Sequence, residues 1–315
     1  MTTKRVLVTG ASGFIGRHSL PALVEREYEI HAVYAKGLPE GPGTWHRADL
    51  LDPVQRDRLL DEVRPTHLLH FAWYAVHGSY WTSVENLRWV EASLALLRRF
   101  ADHGGRRAVL AGTCAEYDWD FEFCSEEATP ANPKTLYGVS KNALRLVAEA
   151  FARQTGLSLA WGRIFFPYGP GEQAGRLIPS VIRSLQHKEP VRCSDGRQYR
   201  DFIFVGDCAG AFAALLDSEV EGVVNIGSGK PLTIREVVAA IVAEIPGASE
   251  VPVEFGAVAA RPGDPPMLLA DIRRLVNEVK WKPETELNEG IRRTVLAGQA
   301  SATDLRTGRH EVAAS

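Results

Sequence analysis

Tyr137 and Lys141 stand four residues apart in Tyr137-Gly-Val-Ser-Lys141, the spacing that puts two side chains on one face of a helix. A phenol with its ordinary pKa of about 10 exchanges protons poorly at neutral pH, and a nearby ammonium stabilises its phenolate. The pair is a proton-handling device wherever the surrounding chain brings a substrate to it.

A second stretch has the chemistry of an anion site. Lys4 to Thr9 reads as a buried strand, runs into Gly10-Ala-Ser-Gly13-Phe-Ile-Gly16, and is followed by an amphipathic pattern to Glu27. Glycines in a strand-turn-helix let the backbone approach a phosphate, and the helix N-terminus offers free N–H groups and positive potential. About 20 residues further on, an acidic residue would bond the ribose of NAD. That place holds Lys36, after the strand Glu29 to Tyr34. A cation there attracts a 2′-phosphate and favours NADP(H), with NAD(H) left open; the plainer reading is a solvated turn lysine. Asp49-Leu50 follows a short strand, Trp45 to Ala48. Asp49 could accept from an adenine amino group, or Asp49 and Asp52 could simply cap a helix.

The elements that position these groups alternate. Strands are expected at His67 to Ala72, Arg107 to Gly112 (ending in Thr113) and Leu157 to Phe165. Helices are expected over Val84 to His103, with apolar Leu87, Val90, Leu94, Leu97 and Phe100, and from Thr135, with a buried stripe of Leu144, Val147, Ala148 and Phe151. This rhythm predicts an α/β protein with a doubly wound parallel sheet. His67 and His70 fall on opposite faces of their strand, which argues against a metal site. The aromatic loop Trp73 to Trp81 follows the carboxyl end of a strand, where open α/β sheets bind ligands. It could close over a ligand or pack against the body.

After Pro167-Tyr-Gly-Pro-Gly171 the elements shorten, with a helix over Leu177 to Gln186 and an extended Pro190 to Arg192, which reads as a smaller mixed α/β lobe. The run Phe202 to Val205, a helix Cys208 to Leu216 and a strand Val223 to Ile226 are regular enough to return to the first lobe. The expected division is 1–167 for the dinucleotide, with 202–228 returning to it, 168–298 mainly for the substrate, and 299–315 as a loose tail. Arg192, Arg200 and Arg261 suit a diphosphate, because guanidinium binds its oxygens in a fork.

Composition excludes several classes. In 315 residues the formal net charge is −3 and 24% are charged, with arginines dispersed, so no footprint for nucleic acid or an anionic membrane is expected. No apolar run approaches ~20 residues, and Met-Thr-Thr-Lys-Arg leads straight into a strand, so a cytoplasmic protein is expected. Cys114, Cys124, Cys193 and Cys208 have no metal-type spacing. Neither disulfides nor a metal is expected.

Assembled, these residues resemble the extended short-chain dehydrogenase/reductase family of nucleotide-sugar epimerases, dehydratases and ketoreductases. The likeness spans Val6 to about Val295 and rests on Thr9 to Gly16, Asp49-Leu50, His70-Phe-Ala72, Asn86, Thr113, Tyr137 with Lys141, Arg163, Tyr168-Gly-Pro170, Arg200-Asp-Phe202, Asn225 to Ser228 and Arg261 to Asp264. It implies a Rossmann domain with a nucleotide-sugar-binding lobe. Tyr137 would be the acid/base, Lys141 would orient the nicotinamide ribose and lower the phenol's pKa, and Thr113 would hold the substrate oxygen. The cofactor would lie against Gly10, Ser12, Gly13, Phe14, Ile15 and Lys36, then Asp49, Leu50, Phe71, Ala72, Lys141 and Pro167. Thr113, Tyr137, Arg192, Arg200 and Arg261 would meet the substrate, with Leu177-Ile-Pro179 near the nucleotide base. The family's usual dimer joins two helices per subunit, which here are those of Leu87 to Phe100 and of Tyr137, and a homodimer is expected.

Departures from the family pattern narrow the reaction. Dehydratases carry Asp-Glu directly after the threonine, because removing water needs a further acid and base. Here Cys114-Ala115 follows Thr113. Cysteine bases in epimerising reductases stand where this chain has Ala115, so Cys114 reads as a small buried neighbour. Lys36, Phe166 in place of a common asparagine, and Trp73 in place of a small residue favour NADPH-dependent reduction of a nucleotide-linked 4-keto-6-deoxy sugar. A 4-epimerase with tightly held NAD is the alternative, and a non-catalytic NADP sensor a third reading.

Overall fold

The computed structural model describes residues 4–36, 39–259 and 263–311. In chain order the first half comprises β1 (Arg5–Thr9), α1 (Phe14–Val24), β2 (Glu29–Tyr34), β3 (Thr44–Arg47), α2 (Pro53–Val63), β4 (His67–His70), α3 (Glu85–Asp102), β5 (Arg107–Thr113), β6 (Phe123–Cys124), α4 (Leu136–Thr155) and β7 (Ser158–Ile164). Continuous apolar runs such as Val6-Leu-Val8 suit strands covered on both faces. These residues are fully buried.

The second half adds β8 (Phe166–Tyr168), α5 (Leu177–Gln186), β9 (Val191–Cys193), β10 (Tyr199–Phe204), α6 (Val205–Asp217), β11 (Gly222–Ile226), β12 (Pro231–Thr233), α7 (Ile234–Glu244), β13 (Val253–Phe255), β14 (Met267–Ala270), α8 (Arg273–Asn277) and α9 (Leu287–Glu311). Seven parallel strands form the main sheet in the order β11-β7-β5-β4-β1-β2-β3. One apolar layer joins it to α1 and α6, the other to α2, α3 and α4. The order reverses between β1 and β4, where ligands enter open α/β sheets. There the loops after β1 and β4 touch: a Cβ on Gly10, whose φ is +68°, would lie 2.7 Å from the Ala72 amide nitrogen.

Local chemistry sets the helix ends. Asp52 caps α2 by accepting from the amides of Val54 and Gln55, with Pro53 in the first turn. Thr135 caps α4 through the Gly138 amide, and left-handed Gly156 ends that helix.

Three expectations are corrected. The run at Phe202 does not rejoin the main sheet: β10 lies in a second sheet, ordered β12-β10-β14-β6 with β8 also on β10, and only α6 and β11 return. Hydrophobicity alone could not distinguish two buried sheets. The segment after Gln299 is helical as far as Glu311, within α9. Finally, Val147, expected in the buried stripe of α4, faces outward and is 50% exposed. The stripe of α4 that meets the sheet is Lys141, Leu144, Ala148 and Ala152.

Phe212 links fold to site. It is fully buried, its ring lies 4.9 Å from that of Phe71, and Gly162 makes room for it, since a Cβ there would come within 2.5 Å of the ring. Phe212→Ala is expected to lower unfolding free energy by about 3–5 kcal/mol in urea titrations.

Candidate active site

Strand β5 and helix α4 bring Thr113, Tyr137 and Lys141 to one edge of the sheet. Helix α4 starts close against the turn Cys114–Glu116, because Gly138 has no side chain: a Cβ there would lie 2.3 Å from the Ala115 carbonyl oxygen. The Thr113 hydroxyl accepts from the Ala115 amide at 3.2 Å and stands beside the Tyr137 phenol. Burial pushes that phenol above its usual range; the nearby Tyr80, Glu116 and Cys114 add to this, and Thr113 opposes it.

Lys141 is buried, donates to the Ala111 carbonyl at 2.8 Å, and sits 3.8 Å from the centre of the Trp73 ring. Burial lowers its pKa to about 7, against an opposing pull from Glu116. Its ammonium rests on the Ala111 carbonyl and the Trp73 ring, and burial is the largest influence on the Tyr137 phenol.

A cavity of about 1360 Å³ opens over this pair and runs between the two lobes. Of the residues expected at the cofactor, Gly10, Gly13, Phe14, Ile15, Phe71, Ala72, Lys141 and Pro167 line it. The residues fit a dinucleotide pyrophosphate. Helix α1 starts at Phe14 with no side-chain cap, and a Cβ on Gly16 would lie 2.1 Å from the Gly10 carbonyl oxygen, so the turn closes only around glycine. Ser12 is not in the cavity wall; its carbonyl accepts from Arg17. Lys36 is exposed beyond the end of β2, also outside the wall. Asp49 accepts from the Leu51 amide at 3.0 Å in a local turn, and Leu50 is buried in the core. The helix cap is Asp52 and not Asp49.

The expected diphosphate clamp is only partly gathered. Arg200 lines the cavity, buried, paired with Asp264 at 2.7 Å and donating to the Tyr199 carbonyl. Arg192 stands exposed at the rim, 3.7 Å from Glu254. Arg261 lies outside the described residues. Leu177 and Ile178 line the second-lobe end. Burial pushes the Cys114 thiol far above its usual range, which favours its protonated form. All four cysteines are free and buried. His70 bridges Thr9 and Ser93 at 2.6 and 2.9 Å and is held neutral by burial, its pKa lowered to about 3. Among the described residues no cluster of His, Cys, Asp or Glu could hold a metal ion, and no helix is long and apolar enough to cross a membrane.

The aromatic loop expected at this edge lines the cavity, with the rings of Tyr80 and Trp81 edge-on to Tyr137 at 4.9 and 5.7 Å. Other residues of the site escape a reading of the sequence. Gln173 crosses the cavity mouth, donating to the Ala75 carbonyl and accepting from the His77 amide, both at 2.9 Å. Glu172 lines the wall, its carboxyl raised to about 7 by burial. Glu116 lies behind Thr113. Its signal was present, since Thr113-x-x-Glu116 is a capping box.

The buried ammonium has a measurable consequence. Unfolded chain holds the Lys141 proton to about pH 10.4, folded chain only to about 7. The unfolded state therefore binds more protons between these values, and stability rises with pH across that window. Wild type measured against Lys141→Met should gain up to about 1.4 kcal/mol per pH unit from pH 7 to 10 in denaturant titrations. A flat difference would show that the ammonium is not buried at a cost.

Comparison with known proteins agrees with this geometry. The chain is 30% identical over 334 residues to a UDP-glucose 4-epimerase of Azospirillum brasilense, spanning 94% of this chain and 92% of that protein. It is 27% identical over 247 residues to a dTDP-6-deoxy-L-talose 4-dehydrogenase (NAD(+)) of Aggregatibacter actinomycetemcomitans, spanning 76% and 90%. The crystal structure of the Thermus thermophilus UDP-glucose 4-epimerase complex with NAD superimposes with a TM-score of 0.80 at 30% identity, covering 93% of this chain and 98% of that one. With residues 6–227 matching the model of the NAD dependent epimerase/dehydratase family, the chain belongs to that family of enzymes, within the extended short-chain dehydrogenases/reductases.

Proposed function

We propose that this protein is a nucleotide-sugar 4-epimerase that retains its NAD. The observation that carries the reading is Thr113 beside Tyr137 and Lys141 at one sheet edge, with Cys114 and Ala115 in the two places after Thr113 where a dehydrating site needs its added acid and base; burial pushes the Cys114 thiol up. Such a site exchanges one proton at one carbinol oxygen, which suits reversible oxidation and not elimination of water. Bound NAD would supply the hydride acceptor and donor. Tyr137 moves the proton at the sugar oxygen, Thr113 holds that oxygen, and Arg200 turns from Asp264 toward the diphosphate. On this reading the cofactor lies against residues 1–167 and the nucleotide sugar mainly against 168–298. The named relatives that act on UDP-glucose support a uridine nucleotide.

Ketoreduction with NADPH is the second reading, and Lys36 favours it. Exposed at the end of β2 in place of a carboxylate, it suits a 2′-phosphate. Phe166, 5.7 Å from the Arg200 guanidinium and 6.0 Å from the Phe202 ring, adds an apolar wall fit for a deoxygenated sugar.

Incubating the protein with UDP-glucose separates the two. Epimerisation yields the C4 epimer with no net change in nicotinamide absorbance, whereas stoichiometric NADPH loss with a 4-keto-6-deoxy nucleotide sugar identifies the reductase. In either case Tyr137→Phe should lower kcat by about 10²–10⁴-fold while cofactor binding stays near wild type. Retained turnover refutes the role of Tyr137.

The outward faces of α3 and α4 support a homodimer. Val84, Leu87, Leu146 and Val147 are 69, 57, 52 and 50% exposed on two adjacent helices, and a twofold axis through this surface would build a four-helix bundle. Sedimentation equilibrium at micromolar concentration is expected to give a dimer, and Leu87→Glu with Leu146→Glu a monomer.

A further inference from the structure

We propose that Glu116, which touches no substrate, is a positioning residue that sets the Thr113–Tyr137 hydroxyl pair from behind the end of β5. The inference rests on the reading of Thr113 and Tyr137 as the reacting pair. Glu116 is fully buried, yet its carboxylate collects donors from three elements. It accepts from the Thr113 amide at 2.8 Å, from the Trp161 indole at 2.9 and 3.1 Å and from the Arg163 guanidinium at 2.9 Å, with Arg145 at 3.9 Å. A buried ion pair adds little net stability over an apolar filling of the same shape, so stability alone does not account for this arrangement.

What the arrangement does secure is geometry. The carboxylate holds Thr113 by its backbone, while the Thr113 hydroxyl accepts from the Ala115 amide. These reciprocal bonds form a capping box that fixes the side chain of Thr113 and leaves its hydroxyl turned to Tyr137. The preceding residue gives way to the same network. A Cβ on Gly112 would lie 2.0 Å from the Trp161 indole nitrogen and 2.6 Å from a Glu116 oxygen. Helix α4 rests on the same turn through Gly138, so a shift of the turn would move the oxygen-holding group and the phenol together.

The charge of Glu116 acts as well. Tyr137 is faced by Tyr80 from the aromatic loop, by Thr113, Cys114 and Glu116 from the β5 turn, and it shares α4 with Lys141. Among these, Glu116 favours the protonated form of both Tyr137 and Lys141. Removing the charge should let both titrate at lower pH.

Two variants of the full chain separate reach from charge. Glu116→Asp keeps the charge and withdraws the carboxylate from Thr113; kcat on the nucleotide sugar should fall about 10- to 100-fold, with KM and the position of the rising pH limb unchanged. Glu116→Gln keeps the reach and removes the charge. Its tyrosinate difference spectrum, taken against the same variant carrying Tyr137→Phe, should move to lower pH, and the pH limb of kcat with it. The spectral titration needs no substrate. If wild type turns over no nucleotide sugar, the functional reading fails, and Glu116 is judged by the titration alone. Should Glu116→Gln not fold, the double variant with Arg163→Gln leaves no unpaired buried charge and gives the same titration. Folded variants with wild-type kcat and an unmoved tyrosinate titration overturn the proposal.

Discussion

The close seat of helix α4 on the turn after β5 is the constraint on which the site depends. A helix carrying an acid/base can serve a strand-end hydroxyl only if the two backbones come nearer than ordinary side chains allow, and Gly138 against the Ala115 carbonyl supplies that approach. From it follow the nearness of Thr113 to Tyr137 and the placement of Lys141 one turn deeper, under Trp73. The glycines of the β1–α1 turn solve the same steric problem at the other end of the cavity, where the first turn of α1 must stay uncovered.

Burial then sets the electrostatics. It disfavours the charged forms of both Tyr137 and Lys141, raising one pKa and lowering the other. Both side chains are thereby drawn toward their neutral forms. Arg200 instead keeps its charge partnered, through Asp264.

The alternation of strands and helices in the main sheet is legible because its signals are local: apolar runs and a glycine turn opening a helix. The proton pair was legible for the same reason, since four residues within one helix fix their own geometry. The failures share a different cause. Phe202 was assigned to the wrong sheet, and β14 was missed, because partner choice between buried strands is decided by contacts distant in sequence. Val147 belongs to an apolar stripe expected to be buried and is half exposed, because apolar spacing marks a face without saying what covers it. Glu116 carried a capping signal, but its burial depends on Trp161 and Arg163, some 45 residues away on β7.

Gln173 bridges the two loops at the cavity mouth by gripping only main-chain atoms of the facing loop, at Ala75 and His77. Main-chain groups are the same whatever residue bears them. Closure of the mouth is therefore separable from the identity of the side chains that the loop presents inward. The loop is thus tied to Gln173 by backbone alone, and its aromatic side chains are left to seat Lys141 and Tyr137.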